Sequence, residues 1–199
     1  RAGYYRDQTF MMAIDQLTSK QMFSHLYGNP DLSAEPSSGS RQMMNHFGSR
    51  FLNDDGSCRN LMAQKNSTSD MACLTSQFPR VVGLAQASKV YRENKELALL
   101  KKNFTNGGNE VVFATIGNSS CAEGLFFEAI NAIGVLQLPA IISIWDDDYG
   151  ISVANDLQIT KSDVSEVLKG FQRDDKGEGF EIIKVKAWDY PCLVETYEK

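Results

Sequence analysis

The clearest alternation of apolar and polar positions runs from Val111 to Ser152. A β-rich apolar run, Val111 to Ile116, leads through a polar turn into a helical stretch from about Ala122 to Gln137. Leu138-Pro139 ends that helix, and a second apolar run follows over Ala140 to Trp145. The order strand, helix, strand predicts a βαβ unit whose two strands are parallel.

The rest of the pattern predicts short helices and long polar connections around this unit. Thr18 and Gln21 have the spacing of a capping box at the start of a helix that ends at Gly28. Residues 29–50, rich in Pro, Ser, Gly and Asn, predict a long loop, and residues 51–67 are irregular. The other predicted elements are helices over Gln8 to Leu17, Thr75 to Asn94 with an extension over Lys95 to Lys102, Ser162 or Asp163 to Gly170 and Pro191 to Lys199, and a strand over Phe180 to Ala187.

Composition places the chain among globular proteins. Its 199 residues, 42% hydrophobic and 23% charged, can form one domain, 1–199, or part of a larger one. The net charge of −5 argues against a non-specific nucleic-acid binder, and no apolar run is long enough to span a bilayer. The chain begins with Arg1 and shows no initiator Met, so we expect a truncated piece of a longer protein.

The four cysteines favour free thiols in a reducing cytosol over disulfides, and we expect a cytoplasmic protein. The cysteines are Cys58, Cys73, Cys121 and Cys192. Their wide spacing, without a Cys-x-x-Cys motif, does not suggest a zinc site. An even number of cysteines still permits disulfides. The three Asn-x-Ser/Thr triplets are potential N-glycosylation sites, but such triplets are common by chance.

Oxygen-bearing side chains follow both predicted strands. Asn118 comes after the first strand, and Asp146, Asp147 and Asp148 come after the second. Ligands of parallel sheets bind beyond these carboxyl ends, and Mg²⁺ prefers hard oxygen ligands that it shares with phosphate and water. Asn118, Asp147 and a main-chain carbonyl could therefore hold Mg²⁺.

The turn between the first strand and its helix fits the same chemistry. The helix N-terminus favours an anion such as a diphosphate, and Ser119 and Ser120 could bind its oxygens. The alternative is purely structural: Asn-Ser-Ser is a good N-cap sequence, and the three aspartates form a solvated loop. Similarly, His46 in the long loop is either an ordinary loop histidine or a catalytic one.

Several linked motifs resemble the α subunit of thiamine diphosphate-dependent 2-oxo acid dehydrogenases, of the branched-chain or pyruvate type. The resemblance covers most of the chain. It rests on the thiamine diphosphate motif, Gly117-Asn118-Ser119-Ser120…Glu123-Gly124…Glu128-Ala129-Ile130-Asn131…Leu138-Pro139…Asp146-Asp147-Asp148-Tyr149-Gly150-Ile151-Ser152, and on Tyr4-Tyr5-Arg6-Asp7, Ser40-Arg41-Gln42-Met43…His46-Phe47-Gly48 and Gln77-Phe78-Pro79-Arg80-Val81-Val82-Gly83.

The resemblance implies a fold and a role for each matching residue. The fold would be α/β, a three-layer α/β/α arrangement with a mostly parallel sheet. Asn118, Asp147 and the carbonyl of Tyr149 would bind Mg²⁺. The other cofactor contacts would be Tyr5, Arg6, Ser119 and Ser120 on the diphosphate and Leu74 near the aminopyrimidine, with His46 a weaker candidate for substrate or acyl-transfer contact.

The chain departs from the family pattern at its metal ligands. The family has an acidic residue where Asn118 stands and an Asn where Asp147 stands, so the amide and the carboxylate have exchanged strands without changing the net ligand charge. Ser119 replaces a glycine, Trp145 an arginine of branched-chain enzymes, and Ala72-Cys73-Leu74 a Ser-Pro-Leu. These changes bear on cofactor affinity rather than on the fold.

The family's reaction is decarboxylation of a 2-oxo acid and transfer of the acyl group to a lipoyl group. We therefore expect thiamine diphosphate and Mg²⁺ as cofactors, with the Arg41-Gln42-Met43 loop favouring a branched-chain over a pyruvate enzyme. The expected partners are a β-type subunit or fused domain, a lipoyl acyltransferase component and a 2-oxo acid, in a dimer or heterotetramer. These residues alone would be inactive. In the family, the glutamate that activates the aminopyrimidine belongs to the β part, and the usual active-site histidine follows the last strand of the α part, beyond Lys199.

Three other functions are alternatives to this one. A degenerate homologue could keep the fold as a scaffold for its β-type partner. A transketolase-like enzyme fits the Arg-Gln-Met and Gln-x-Pro segments less well. A plain nucleotide-binding α/β domain is disfavoured because the turn lacks Gly-x-Gly-x-x-Gly.

Overall fold

Two parallel strands, β1 (Val112–Gly117) and β2 (Ala140–Trp145), form the sheet of the computed structural model, which describes all of residues 1–199. Their register pairs Val112 with Ala140 and Gly117 with Trp145, so both strands end at the same level. Helix α5 (Gly124–Leu136) connects them. The predicted βαβ unit is thus confirmed, with one difference: a 3-10 turn, Ser119–Ala122, precedes the helix.

One face of the sheet packs against α5 and the long helix α3 (Phe78–Glu93). Alternate residues of β1, Val112, Ala114 and Ile116, are buried in the two clusters that form this core. Phe78 of α3 and Phe126 of α5 are fully buried there, with their rings edge to face at 5.3 Å. Apolar burial of this kind supplies most of the driving force for folding.

The opposite face of β1 contacts two other helices, α1 (Gln8–Ala13) and α7 (Tyr190–Glu198). The ring of Phe113 stacks 5.4 Å from that of Phe10 in α1 and lies 6.3 Å from that of Tyr197 in α7. Helices therefore contact the strands from both sides, as the predicted α/β class requires.

The predicted helix start at Thr18 is confirmed in α2 (Ser19–Leu26). The Thr18 hydroxyl accepts a hydrogen bond from the Gln21 amide at 3.2 Å, and the Gln21 side chain accepts one from the Thr18 amide at 2.9 Å. Helix α1 was predicted to reach Leu17 but ends at Ala13, because Asp15 adopts the left-handed conformation, φ 60°. Residues 29–50 form the predicted long loop.

Two further helices begin at side-chain caps. The predicted extension of α3 is instead a separate helix, α4 (Lys95–Leu100), because Asn94 breaks the helix and its side chain accepts from the Leu97 amide at 2.9 Å. Asp163 caps α6 (Val164–Val167), accepting from the Ser165 amide at 2.8 Å. A 3-10 turn, Leu168–Phe171, continues α6 to the predicted end near Gly170.

The predicted strand over residues 180–187 is wrong. This segment has no regular structure, and its only ladder contact is an isolated bridge between Phe180 and Gln172. Its backbone begins by bonding to the preceding loop, where the Phe180 amide donates to the Phe171 carbonyl at 2.8 Å. The alternation of apolar and charged residues is explained by packing, since Phe180 and Ile182 lie against the core while Lys184 pairs with Asp163 at 2.5 Å.

A short antiparallel hairpin completes the fold near the strand ends. It consists of β3 (Tyr149–Gly150) and β4 (Val153–Ala154), and it directs the chain back towards the end of β1. No helix of the structure has both the length and the apolar character to cross a bilayer. All four cysteines are free thiols, of which Cys121 alone is buried.

Candidate functional site

The ends of β1 and β2 bring Asn118 beside the aspartate loop. The last paired residues are Gly117 and Trp145, so Asn118 and Asp146 are the first residues beyond the sheet. The Asn118 amide donates to the Trp145 carbonyl at 3.2 Å, which extends the ladder by one bond. Asn118 is buried, whereas the aspartates that follow β2 are exposed.

A chain of side-chain hydrogen bonds links the two strand ends through Asn155. Asn118 Nδ2 donates to Asn155 Oδ1 at 2.7 Å, and Asn155 Nδ2 donates to Asp146 Oδ1 at 3.2 Å. The same Asp146 oxygen accepts from the Asp148 amide at 3.0 Å. Asn155 was missed by sequence reasoning, because it reaches the site only through the fold-back of the β3–β4 hairpin. Its position in the polar link just after the motif was the only available signal.

Asp147 lies opposite Arg6, a residue 141 positions earlier in the chain. The distance between Arg6 Nη1 and Asp147 Oδ2 is 4.0 Å, and the two side chains are 43% and 65% exposed. Asp147 Oδ1 accepts from the Tyr149 amide at 3.2 Å, and the Arg6 guanidinium lies over the Tyr5 ring at 5.4 Å. The structure thus places a predicted diphosphate contact beside a predicted metal ligand.

Ser119 and Ser120 have different surroundings. The Ser119 hydroxyl donates to the Gln158 side chain, and both groups lie against Gly150, where a Cβ atom would collide with them. Ser120 instead lines a small cavity of about 20 Å³ together with Tyr5 and Leu74. Three predicted cofactor contacts therefore meet at one cleft. Neither serine caps α5, because the 3-10 turn separates them from that helix.

Tyr4 forms another wall of this cleft, next to Tyr5. Its ring lies edge to face with Trp145 at 6.0 Å and with Tyr5 at 5.5 Å. Burial, followed by the nearby Asp7 carboxylate, raises the pKa of the Tyr4 hydroxyl to about 12. Tyr4 is therefore a neutral hydrogen-bonding group at physiological pH.

The His46 side chain makes no hydrogen bond to the aspartate loop. It is buried, and its Nδ1 atom donates to the Met44 carbonyl at 2.9 Å. No hydrogen bond joins it to any of the predicted cofactor contacts. The next residue, Phe47, donates a hydrogen bond from its backbone amide to the Asp70 carboxylate.

The residues at the strand ends fit Mg²⁺ and a diphosphate by their chemistry. The Asn118 and Asp147 side chains and the Tyr149 carbonyl offer hard oxygens, and Arg6 provides a cation for phosphate oxygens. No three His, Cys, Asp or Glu side chains converge to hold a metal ion by themselves. A cation here would therefore take part of its coordination from an amide, a carbonyl and the phosphate.

Sequence comparison with known proteins identifies the family of this chain. The family described as "Dehydrogenase E1 component" matches residues 2–194. The chain is 27% identical over 205 residues to the 2-oxoisovalerate dehydrogenase subunit alpha of Bacillus subtilis (strain 168), an alignment that covers 97% of the chain. The chain spans about half the length of this curated relative, 52%. On the match over residues 2–194, the chain belongs to the dehydrogenase E1 component family.

Proposed function

We propose that these residues form the diphosphate- and Mg²⁺-binding part of a thiamine diphosphate-dependent 2-oxo acid dehydrogenase. The observation that carries the proposal is the approach of Arg6 to Asp147, 4.0 Å apart, beside Asn118 at the strand ends. A guanidinium and a carboxylate that remain accessible at this edge can bind a phosphate and a cation together.

Each residue has a defined role in this proposal. Asn118, Asp147 and the carbonyl of Tyr149 hold Mg²⁺, while Arg6, Tyr5 and the Ser119–Ser120 turn hold the diphosphate. Leu74 borders the aminopyrimidine, beside the small cavity that Leu74 lines together with Tyr5 and Ser120. The exchange of amide and carboxylate between Asn118 and Asp147 keeps one negative charge in the ligand set, so a divalent cation meets the same net charge.

Thiamine diphosphate, when bound, supplies the carbanion stabilisation that decarboxylation of a 2-oxo acid needs. This chain would orient the diphosphate at the strand ends, next to the small cavity that Tyr4, Tyr5 and Leu74 line. The acyl group would then pass to a lipoyl group of an acyltransferase component, whose disulfide would accept the two electrons of the oxidation. The similarity to a 2-oxoisovalerate enzyme favours a branched-chain 2-oxo acid over pyruvate as substrate.

The proposal extends to the assembly. The helices on both sides of β1 and β2 would belong to a three-layer α/β/α domain whose parallel sheet continues beyond these two strands. A β-type subunit or fused domain would complete the cofactor site, in a dimer or heterotetramer in the cytoplasm. Residues 1–199 alone would then show no decarboxylase activity.

A scaffold without catalysis is the second candidate function. The Asn118 amide and the Ser119 hydroxyl are already bonded inside the chain, to Asn155 and Gln158. If these bonds are not exchanged for bonds to a cofactor, the domain would only support its β-type partner.

Calorimetry on the full-length protein separates the two functions. We expect thiamine diphosphate to bind in the presence of Mg²⁺ and not after chelation of divalent cations. Asp147→Ala should abolish binding, whereas Asp175→Ala, which removes an exposed carboxylate from the loop at residues 173–179, should leave it unchanged. If the unmodified protein does not bind with Mg²⁺, the scaffold function is supported instead.

A further inference from the structure

A buried charge cluster lies behind the turn that carries Tyr5 and Arg6. The Arg1 side chain is 4% exposed, and the side chains of Asp7 and Asp70 are fully buried. Arg1 Nη2 lies 2.5 Å from Asp7 Oδ2 and 3.0 Å from Asp70 Oδ2. One guanidinium thus holds two carboxylates that are 63 positions apart in the sequence.

Asp7 fixes the Tyr4–Asp7 turn to the sheet. Its Oδ2 atom accepts a hydrogen bond from Thr115 Oγ1 in β1 at 2.6 Å and one from Arg1 Nε at 2.7 Å. The Asp7 amide donates to the Tyr4 carbonyl at 3.2 Å, which closes the turn over Tyr5 and Arg6. The backbone of Arg6, directly before Asp7, is therefore anchored while its guanidinium remains near Asp147.

Asp70 connects the same cluster to the other segments of the site. Its Oδ2 atom accepts from the Phe47 amide at 3.1 Å, and its own amide donates to the Phe47 carbonyl at 2.9 Å. Arg1 Nη1 donates to Ser67 Oγ at 2.6 Å. The cluster therefore joins three segments: the Tyr4–Asp7 turn, the loop that carries His46, and the stretch that leads to Leu74.

The cluster places two buried carboxylates against one guanidinium, an arrangement that carries a cost in stability. The Oδ1 atoms of Asp7 and Asp70 are both buried without a hydrogen-bond partner. Buried carboxylate oxygens without partners are costly, and two carboxylates share a single guanidinium here. Burial raises the pKa of the Asp70 carboxyl, against the opposing effect of Arg1.

We infer that Asp7 is a positioning residue for cofactor binding, held in place by Arg1 and by the hydroxyl of Thr115. It holds the Tyr5–Arg6 turn so that the Arg6 guanidinium faces the strand ends before any diphosphate arrives. This inference rests on the proposed function, because it concerns the affinity for the same cofactor. Since the Asp7 side chain is fully buried behind the turn, its effect is on binding rather than on the chemical step.

The test is calorimetric titration of full-length Asp7→Asn with thiamine diphosphate at saturating Mg²⁺. Asn keeps the size of the side chain but weakens its bonds to Arg1 and Thr115, so we expect affinity to fall by about tenfold or more. At saturating cofactor, kcat should stay within about twofold of the unmodified enzyme. Glu110→Gln is the control, because this carboxylate holds a turn at the opposite end of β1 through Thr105 and Asn106.

A matched pair at Thr115 tests the same contact even if Asp7→Asn folds poorly. Thr115→Val removes the hydroxyl that donates to Asp7, whereas Thr115→Ser retains it. Weaker binding in the valine variant with normal binding in the serine variant supports the inference. Unchanged affinity in Asp7→Asn and Thr115→Val, with binding by the unmodified protein, overturns it and leaves the proposed function standing. Absence of binding by the unmodified protein overturns both.

Discussion

The side-chain contact between Asn118 and Asn155 favours an amide over a carboxylate at the end of β1. Asn118 is buried, and its Nδ2 atom donates to Asn155 Oδ1 at 2.7 Å. A carboxylate at position 118 would place an acceptor oxygen, instead of a donating NH₂ group, opposite Asn155 Oδ1. In addition, burying a charge costs more free energy than burying an amide. Asp147, by contrast, is 65% exposed, so a charge there remains hydrated. The exchange between the strands thus puts the charge at the more accessible of the two positions.

We therefore expect Asn118→Asp, which restores the acidic residue of the family pattern, to destabilise the metal-free protein. The cost should be about 1–3 kcal/mol, since Asn155 must lose its bond either to residue 118 or to Asp146. Urea unfolding in the presence of a chelator measures it. The control is Asn109→Asp at an exposed position, for which no comparable loss is expected. Equal unfolding midpoints for the two variants would contradict the argument.

Helices and strands were predicted from the sequence where capping residues or prolines near their ends determine where they begin and end. Thr18 and Gln21 mark the start of α2, and Leu138-Pro139 separates α5 from β2. The segment 180–187 was misassigned because alternation predicts a strand only where another strand is available to pair with it. Here its first residue bonds to Phe171 instead.

The same limit applies to the site. Tyr5, Leu74 and Ser120, predicted from motifs as cofactor contacts, line one small cavity, and Arg6, predicted as a diphosphate contact, lies 4.0 Å from Asp147. Asn155 could not be found, because the β3–β4 hairpin that returns it to Asn118 has no local periodicity. The pairing of Arg1 with Asp70 depends on tertiary folding, which residue spacing does not encode.

Helix α6 provides a pH-dependent prediction. A hydrogen bond from Lys184, then those from Ser165, lower the pKa of Asp163 from its ordinary 3.8 to about 2. A lowered carboxyl pKa means that the native state binds the proton less readily than the unfolded chain does. This contribution to stability is therefore complete above about pH 4 and is lost as the pH falls through about 2.

Asp163→Asn keeps a side-chain cap on α6 but removes this charge. We expect the decrease in thermal unfolding midpoint between about pH 4 and pH 2 to be smaller in the variant than in the unmodified protein. Asp175→Asn, at an exposed loop position, serves as the control and should retain the full decrease. An identical decrease in Asp163→Asn would show that the Lys184–Asp163 pair does not contribute.

Most of the buried apolar side chains of the whole molecule lie in one contact region, where α3, α5 and the sheet meet. Phe126 is fully buried, and its ring meets Phe78 at 5.3 Å and Phe127 at 5.5 Å. The same cluster includes Ile116 and Cys121, which flank the turn that carries Asn118. Loss of packing here should therefore affect both global stability and the position of the candidate site.

Phe126→Ala tests this dependence. Removing a fully buried aromatic side chain should lower the free energy of unfolding by about 3–5 kcal/mol, because the cavity cannot collapse between two helices and a sheet. Leu99→Ala in α4 is the control, since Leu99 is 78% exposed and its loss should cost about 0.5 kcal/mol or less. Urea unfolding followed by circular dichroism gives both values. A loss in Phe126→Ala no larger than that in Leu99→Ala would mean that α3 and α5 do not share the core through which the strand ends are held together.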